Sequence, residues 1–514
     1  MSTAATIRRS CALLLALVLA SGACDSTPPP VPPSIAAVTP IPSSRPSVPA
    51  EVKVAAIAWT DCGNGFGCGS VLVPLDYANP AGASMLMSVI RLPATDPGKR
   101  VGSLVVNPGG PGGSGTDFVR SSGKALFSAD IRARFDIVGF DPRGVNRSSG
   151  VRCVDDLEHF LAADDNPDTP AELKTLLAGQ QAFAKGCQDR NAAVLPFLGT
   201  DNVARDLDRL RAALGEAKLT YIGFSYGTLI GSLYAKYFTL RIRALVLDGV
   251  VDPRLDLAGL AEGQSVGFEA SFKRFLAYCA ADKTCEFHHG GKPGPALDAL
   301  MRRIEKAPLP ARLLGDPRLV GPSYAWSAVL GAMYDRAEWP ILARGLALAE
   351  AGDGSILLLL SDPLDGRDPD GTYSNLVDAN AAVRCIDFPG PRDPAPYEAE
   401  AKVWAHASPH FGALLAFSGL DCAFWAVAPV RVPGPVAAPD APPIVIVGST
   451  GDPATPYPWA VALSHQLATS IRVTRKGDGH TAYAFSECVR AAVDAYLLDL
   501  TPPKAGLVCS DSAG

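Results

Sequence analysis

The sequence predicts an α/β fold in which a doubly wound, mostly parallel sheet is interrupted by a large helical insertion. Apolar strands of the buried type alternate with helical stretches up to about residue 250, the alternation stops over residues 251–435, and apolar strands return over residues 436–514. Strands that alternate with helices form parallel β-α-β units, which build a doubly wound sheet. The 514 residues, 48% of them hydrophobic, suffice for one large core with an insertion, or for two domains.

Residues 1–23 have the pattern of an export signal. Two arginines precede an apolar run at residues 11–20 and the small residues that end at Ala23, and this run is too short to span a membrane. Because the signal ends before Cys24, it resembles a bacterial lipoprotein signal, in which the cysteine is lipidated. Ser21 stands where that signal usually has leucine, so secretion without a lipid is the alternative.

Residues 24–50 are rich in proline and predict an extended tether between a membrane and the folded body. The net charge of -6 and the lack of a long basic run argue against nucleic-acid binding. The lipid anchor at Cys24 is the only membrane contact that we expect, and we expect a monomer.

Residues 51–250 form the first part of the predicted core. Alternating patterns predict two antiparallel edge strands, and longer apolar runs predict buried strands after them. These stretches are residues 69–75, 84–92, 102–107, 135–141, the segment leading into Ser225, and 244–248. A helix is predicted over residues 203–214, with residues 200–202 as its cap.

Residues 251–435 carry helical patterns, such as 261–280 and 295–305, that are separated by proline and glycine. The second part of the core is predicted at residues 436–514, where 443–448 and 471–474 have the pattern of strands. We interpret the insertion as a helical lid over a site at the end of the sheet. An independent domain is the alternative.

Ser225 stands in a sharp corner between a predicted strand and a predicted helix. Gly223 and Gly227 flank it in a G-x-S-x-G pattern typical of a nucleophile elbow, where the backbones approach too closely for side chains. Such a corner exposes the serine Oγ and points the next N–H, that of Tyr226, at a developing oxyanion. The alternative is a glycine-rich turn with an ordinary N-cap serine.

A serine hydrolase of this topology carries its acid and base after the nucleophile, in the order Ser, Asp, His. Of the seven histidines, only His480 stands on a loop after a late strand. Asp452 follows the preceding strand and is the favoured acid, with Asp248, at the end of the strand after the elbow, as the alternative. Asp478 is too close to His480 along the loop. These residues predict an acyl-enzyme mechanism that needs no metal and no cofactor.

The glycine-rich segment 107–115 is expected to supply the second N–H of an oxyanion hole. Pro111 has no N–H, so Gly110 is the predicted donor and Gly109 the alternative. A phosphate-binding loop is disfavoured because no Lys-Ser or Lys-Thr pair follows these glycines.

Ten cysteines remain after Cys11 and Cys24 are set aside, and an even number in an exported chain predicts disulfide bonds. None has the C-x-x-C spacing of a metal site. The natural pairing joins neighbours along the sequence: Cys62 with Cys68, Cys153 with Cys187, Cys279 with Cys285, Cys385 with Cys422, and Cys488 with Cys509.

Five segments in register together resemble the secreted tripeptidyl-aminopeptidase-like serine hydrolases, a group that includes a mycobacterial cell-envelope protease and carboxylesterase and is related to the proline iminopeptidases. They are NPGGPG at 107–112, FDIVGFDPRG at 135–144, YIGFSYGT at 221–228, LDGVVDP at 247–253 and DPATPY at 452–457. The likeness extends over nearly all of residues 55–510. It implies an α/β-hydrolase with a helical lid that releases short peptides or single residues from N-termini and also cleaves simple esters.

The resemblance also implies an anionic group that holds the free ammonium of the substrate. Asp387, in the segment RCIDFP at 384–389, is the candidate for this anchor; the alternative is a carboxylate paired with Arg384 or another lid arginine. Asn107 and Pro108 stand where proline iminopeptidases have a His-Gly-Gly-Pro-Gly run, which argues against a strict proline preference.

These observations favour an exported aminopeptidase-type serine peptidase of the cell envelope or the medium, acting on the N-termini of peptides or proteins. A carboxylesterase that acts on envelope esters uses the same acyl-enzyme chemistry and is the first alternative. A non-catalytic binding lipoprotein on a hydrolase scaffold is the second, and it is weakened because Ser225, Asp452 and His480 are all present in the required order.

Overall fold

A ten-stranded sheet runs through residues 54–510, which are the residues that the computed structural model describes. The predicted signal at 1–23, the lipidation site Cys24 and the tether at 24–50 lie outside them. The described residues form twelve strands, of which ten belong to this sheet and two, β8 and β9, pair separately: β1 Thr60–Asp61, β2 Gly67–Pro74, β3 Ser84–Leu92, β4 Gly102–Asn107, β5 Phe135–Phe140, β6 Leu219–Phe224, β7 Ile242–Asp248, β8 Leu309–Ala311, β9 Asp316–Val320, β10 Ile444–Gly451, β11 Ser470–Asp478 and β12 Val508–Ser510.

Helices connect most of these strands. They are α1 Gly115–Leu126, α2 Ala129–Arg134, α3 Leu157–Ala162, α4 Pro170–Asn191, α5 Thr200–Ala213, α6 Gly227–Tyr237, α7 Leu257–Ala281, α8 Pro293–Lys306, α9 Pro322–Ala332, α10 Trp339–Glu350, α11 Ser355–Asp365, α12 Leu376–Asp387, α13 Ala395–Ala407, α14 Gly412–Phe417, α15 Tyr457–Gln466 and α16 Glu487–Asp499.

The order of strands in the large sheet is β1-β2-β3-β5-β4-β6-β7-β10-β11-β12. Strands β1, β2 and β3 pair antiparallel at one edge, and β3 is also antiparallel to β5. All pairs from β5 to β12 are parallel. The predicted fold class and the antiparallel edge are therefore confirmed.

The central strands are buried on both faces because helices cover both sides of the sheet. Every residue of β4, β5 and β6 is buried. One apolar cluster joins this sheet to α1, α2 and α16, and another joins its opposite face to α5, α6 and α15. This arrangement explains why these strands read as continuous apolar runs.

The chain leaves the sheet after β7 and returns to it at β10, although these two strands are direct neighbours. Helices α7 to α14 fill the interval and enclose an apolar cluster of their own. The interval also contains the antiparallel pair β8 and β9, which was not predicted because β8 is only three residues long and contains Pro310. Whether the insertion acts as a lid stays a prediction at this point.

Helix α5 corrects one local prediction. It begins at Thr200, so residues 200–202 belong to its first turn and do not cap it. Its N-cap is Gly199, which has no side chain to accept a hydrogen bond from the helix N-terminus. A carboxylate from a distant helix takes that role, as described below.

Five disulfide bonds join the cysteines in the predicted neighbour pairs. One of them, between Cys385 and Cys422, fastens α12 to the segment before β10. Disulfides of this number are typical of proteins that work outside the cytoplasm. Among the described residues, no helix is both long and apolar enough to cross a membrane.

Candidate active site

The corner at Ser225 has the geometry of a nucleophile elbow. Ser225 has a φ of 54°, in the left-handed region, and its N–H donates to the Asp248 carbonyl oxygen at 2.9 Å. A Cβ on Gly223 would lie 2.4 Å from the Gly227 carbonyl oxygen, and a Cβ on Gly227 would lie 2.8 Å from the Asn107 carbonyl oxygen. Only glycine fits at both positions, so β6 and α6 can meet closely enough to leave the Ser225 side chain half-buried at the sheet edge.

Asp452 and His480 meet at the ends of two neighbouring parallel strands. Asp452 follows β10 and His480 follows β11. The His480 Nδ1 lies 2.9 and 3.0 Å from the two Asp452 carboxylate oxygens. The same carboxylate accepts N–H bonds from Ala454, Thr455 and Thr481 at 2.8 to 3.0 Å. The acid is thus fixed by the backbone of both loops, and it fixes the imidazole ring in turn.

Two further residues hold His480, and sequence reasoning missed both. The Thr455 hydroxyl lies 2.9 Å from Asp452 Oδ2 and 3.2 Å from His480 Nδ1. Tyr334, in the insertion, accepts the His480 N–H on its carbonyl oxygen at 2.8 Å, and its ring stands perpendicular to the imidazole at 5.2 Å. Thr455 could have been found within the DPATPY segment, whereas no sequence signal marked Tyr334.

The other imidazole nitrogen, Nε2, is buried and has no hydrogen-bond partner among the described residues. His480 and Ser225 both line one cavity of about 620 Å³. Gly249, which follows the Asp248 carbonyl that accepts the Ser225 N–H, packs against the imidazole, because a Cβ on it would lie 3.2 Å from His480 Cε1. Nε2 is therefore the ring atom that can accept a proton from a hydroxyl in this cavity.

The glycine loop after β4 packs against the elbow. The Gly109 N–H donates to Asn107 Oδ1 at 3.0 Å, so it is already satisfied. Within residues 54–510, the N–H groups of Gly110 and Tyr226 donate to no protein acceptor. A Cβ on Gly109 would lie 2.8 Å from the Tyr226 nitrogen, which shows how closely the two loops approach. Two unoccupied N–H donors are the requirement for an oxyanion hole.

The rival acids have other partners. The Asp248 carboxylate is fully buried and accepts the N–H groups of Ala482 and Tyr483 at 3.1 and 2.8 Å, so it holds the loop after His480 rather than the ring. Burial raises the pKa of Asp248 to about 6. Asp478 forms ion pairs with Arg274 and Arg336 of the insertion.

Asp387 does not face the cavity, and the expectation that it anchors a substrate ammonium is wrong. Its side chain is fully buried; it accepts the Thr200 N–H at 3.0 and 3.1 Å and the hydroxyl of Tyr226. Arg384, its suggested partner, pairs with Asp421 instead. Asp387 therefore caps α5, whose own N-cap is glycine, and burial raises the pKa of its carboxyl above the usual range.

The cavity is lined by elements inside the predicted lid and by elements outside it. Helices α9, α11, α12 and α14 contribute from the insertion, and the α3–α4 region contributes from the first part of the chain. Most of the lining is apolar, with three carboxylates in it: Asp165, Asp365 and Asp421. Residues of the α3–α4 region were not predicted to line the site, because nothing in the sequence places them near Ser225.

Comparison with known proteins identifies the family. The family described as alpha/beta hydrolase fold matches residues 102–287, and the family described as TAP-like protein matches residues 408–509. The serine protease Hip1 of Mycobacterium tuberculosis is 37% identical over 478 residues, which cover 88% of this chain and 91% of that protein.

Two other relatives are nearly as similar. Carboxylesterase B of Mycobacterium tuberculosis is 36% identical over 458 residues, which cover 86% of this chain and 86% of that protein. The tripeptidyl aminopeptidase of Streptomyces lividans is 33% identical over 484 residues, which cover 90% of this chain and 88% of that protein.

Replacing Asp387 tests its structural role. Asp387→Ala leaves the Thr200 N–H without an acceptor, and we expect the free energy of unfolding in guanidinium to fall by about 1 to 3 kcal/mol. The preference for free over acetylated amino termini should stay at the wild-type value, measured with paired chromogenic peptides. Full stability together with loss of that preference would restore Asp387 as the anchor.

The elbow, the unoccupied amide pair, the fixed imidazole and the matches over most of the chain all agree: the chain belongs to the tripeptidyl-aminopeptidase-like family of α/β-hydrolase serine hydrolases.

Proposed function

We propose that this enzyme is an exported serine peptidase of the aminopeptidase type, with Ser225 as nucleophile, His480 as general base and Asp452 as the acid that orients it. One observation carries the proposal. His480 is held through Nδ1 by Asp452, and its Nε2 is left without a partner in the cavity that Ser225 also lines. A serine hydroxyl and a neutral imidazole in that arrangement can exchange a proton during attack on a carbonyl.

The reaction then follows from the positions of these groups. His480 Nε2 accepts the Ser225 proton as Oγ attacks the scissile carbonyl, and the Gly110 and Tyr226 N–H groups stabilise the resulting oxyanion. His480 returns the proton to the leaving amine, which departs and leaves an acyl-enzyme. A water molecule then attacks the ester as His480 takes its proton, and His480 returns that proton to Ser225 Oγ as the N-terminal fragment is released.

The substrate class is inferred from the relatives and the cavity. Two of the similar proteins are named as peptidases and one as a carboxylesterase. Peptides and esters pass through the same acyl-enzyme, so simple esters are expected as additional substrates. Residues 251–435 serve as the lid, because α9, α11, α12 and α14 provide much of the wall against which the substrate lies.

The decisive assay uses the purified mature chain with a chromogenic tripeptide amide, its acetylated twin and a short acyl ester. We expect the free-amine peptide to be hydrolysed fastest, and Ser225→Ala to reduce kcat on all three substrates by about 10⁵-fold. Ser418→Ala is the matched control: it removes another serine of the same cavity, whose hydroxyl only donates to the Leu415 carbonyl, and activity should persist. Turnover of the ester alone would make the enzyme a carboxylesterase.

We also propose that the enzyme is exported and anchored by a lipid on Cys24. The signal pattern before Cys24 and five disulfide bonds support export. Cys24→Ser should move the protein from the detergent phase to the aqueous phase in a detergent partition of expressing cells, while activity is retained. Equal partition of the two proteins would favour simple secretion.

A further inference from the structure

Helix α12 contacts both halves of the proposed oxyanion hole. Its residue Asn380 donates an amide N–H to the carbonyl oxygen of Pro111, the residue after Gly110, at 3.1 Å. Its last residue, Asp387, accepts the hydroxyl of Tyr226, whose backbone N–H is the other proposed donor. Asn380 and Asp387 are two helical turns apart, so they lie on one side of α12, about 10 Å from each other along its axis.

The loop that carries the first donor depends on contacts from outside it. Gly109, Gly110 and Gly112 have positive φ angles between 91° and 107°, and glycine leaves the backbone more conformational freedom than any other residue. Helix α12 packs directly on this loop: a Cβ on Gly112 would lie 2.8 Å from both the Asn380 nitrogen and the Leu376 carbonyl oxygen. The Asn380 amide adds a hydrogen bond to the same turn. The position of the Gly110 N–H is therefore restricted by α12.

The orientation of the Asn380 amide is fixed by a charged pair. Arg384, one turn later on α12, donates Nη1 to Asn380 Oδ1 at 3.1 Å. Because a guanidinium only donates, the amide oxygen must face Arg384, and the amide nitrogen must face the glycine loop. Arg384 Nη2 donates to both carboxylate oxygens of Asp421 at 2.8 and 3.0 Å. The disulfide between Cys385 and Cys422 joins the same two segments beside this pair.

The side chain of Tyr226 connects the second donor to the C-terminal end of α12. Tyr226 is only 4% exposed, and its ring meets the Phe388 ring edge-on with 6.1 Å between their centres. Its hydroxyl contacts Asp387 and, at 2.8 Å, the Thr200 hydroxyl. Asp387 is itself held, because Arg431 donates Nε to its carbonyl oxygen at 2.6 Å and the Thr200 N–H donates to its carboxylate. A rotation of the Tyr226 backbone would break these contacts.

The two donors lie on loops that follow different strands, β4 and β6. An oxyanion is stabilised by two N–H groups only when both point at the same oxygen, and the donors have to be in place before the reaction. Neither loop alone sets the separation of the Gly110 and Tyr226 N–H groups. A helix that forms hydrogen bonds with both loops can set it.

We propose that α12 sets the geometry of the oxyanion hole, with Asn380 as the positioning residue for the Gly110 N–H and Asp387 as the positioning residue for the Tyr226 N–H. This inference rests on the proposed acyl-enzyme chemistry and holds for peptides and esters alike, because both pass through the same kind of oxyanion. The alternative is that the two contacts only stabilise the fold, since a buried tyrosine hydroxyl usually has a hydrogen-bond partner.

The test breaks each contact with a nearly isosteric change. Asn380→Asp keeps the acceptor for Arg384 and removes the donor to the glycine loop. Tyr226→Phe keeps the backbone N–H and the Asp387 cap of α5, and removes only the hydroxyl. We expect each variant to lower kcat for a free-amine tripeptide 4-nitroanilide by about ten- to a hundredfold with KM unchanged. The acetylated twin and a neutral acyl ester should lose kcat/KM by the same factor.

Inhibitor binding measures the oxyanion hole separately from substrate binding. A peptidyl trifluoromethyl ketone adds to the Ser225 hydroxyl as a hemiketal whose oxyanion occupies the hole, whereas its methyl ketone twin binds without reaction. We expect the Ki of the trifluoromethyl ketone to rise in both variants by the factor that kcat/KM falls. The Ki of the methyl ketone should stay at the wild-type value, which also shows that the variants fold.

Tyr234→Phe and Asp378→Asn are the matched controls. Tyr234 lies on α6, which begins directly after Tyr226, and donates its buried hydroxyl to Asp208 at 3.1 Å. Asp378 is a buried residue of α12 that accepts the Cys153 N–H at 2.7 Å, so its replacement exchanges a carboxylate and an amide on the same helix. Neither side chain lines the cavity, and both controls should keep the wild-type kcat and the wild-type ratio of the two Ki values.

Three results would overturn the inference. An unchanged ratio of the two Ki values in both variants would show that the contacts do not act on the oxyanion hole. A raised KM with this ratio unchanged would make Asn380 a substrate-binding residue. An equal rise of both Ki values would indicate general damage to the fold. A response from one variant alone would remove the positioning role from the residue that does not respond. Asn380→Ala, which adds no charge, takes the place of Asn380→Asp if that variant does not fold.

Failure of the proposed function gives a different result. If wild type cleaves the ester and no peptide, the peptidase proposal fails, while kcat/KM for the ester and the pair of ketones still test α12. A wild-type enzyme that turns over no substrate and does not bind the trifluoromethyl ketone would overturn the proposed function, and this inference with it.

Discussion

The carboxylate of Asp452 is the interaction on which the candidate site depends. It accepts bonds from the N–H groups of Ala454, Thr455 and Thr481, from the Thr455 hydroxyl and from the His480 ring. The donors come from the loops after β10 and β11, so the orientation of the imidazole depends on the parallel register of these two strands. A slip in that register would displace the ring from the cavity even if every catalytic residue were present.

The insertion contributes contacts to the candidate site itself. Tyr334 holds the His480 backbone, Arg274 pairs with Asp478 on the same loop, and Asp387 binds both the N-terminus of α5 and the Tyr226 hydroxyl beside Ser225. The segments that carry Ser225 and His480 are therefore held in part by residues of the insertion. Substitutions in the insertion should consequently affect the chemical step as well as substrate binding.

The sequence was sufficient for features that depend on local pattern. Apolar runs of the buried type located β4 to β7, and the order of Ser225, Asp452 and His480 selected three residues that the fold places at one edge of the sheet. The neighbour pairing of the cysteines also matched the five disulfides.

It was not sufficient where function depends on packing between distant segments. Asp387 has the same sequence context whether it faces the cavity or α5, and only the burial of α12 against Gly199 and Thr200 decides between them. A sequence motif predicts which chemistry a residue can perform. The residues that it contacts depend on how the whole chain folds.

The most direct measurement of the central claim is covalent labelling of the mature enzyme with a fluorophosphonate, followed by peptide mapping by mass spectrometry. The account predicts a single adduct on Ser225 that forms rapidly in wild type and is strongly slowed in His480→Ala, because the hydroxyl then lacks its base. An adduct on another serine, or equal labelling rates in the two proteins, would contradict it.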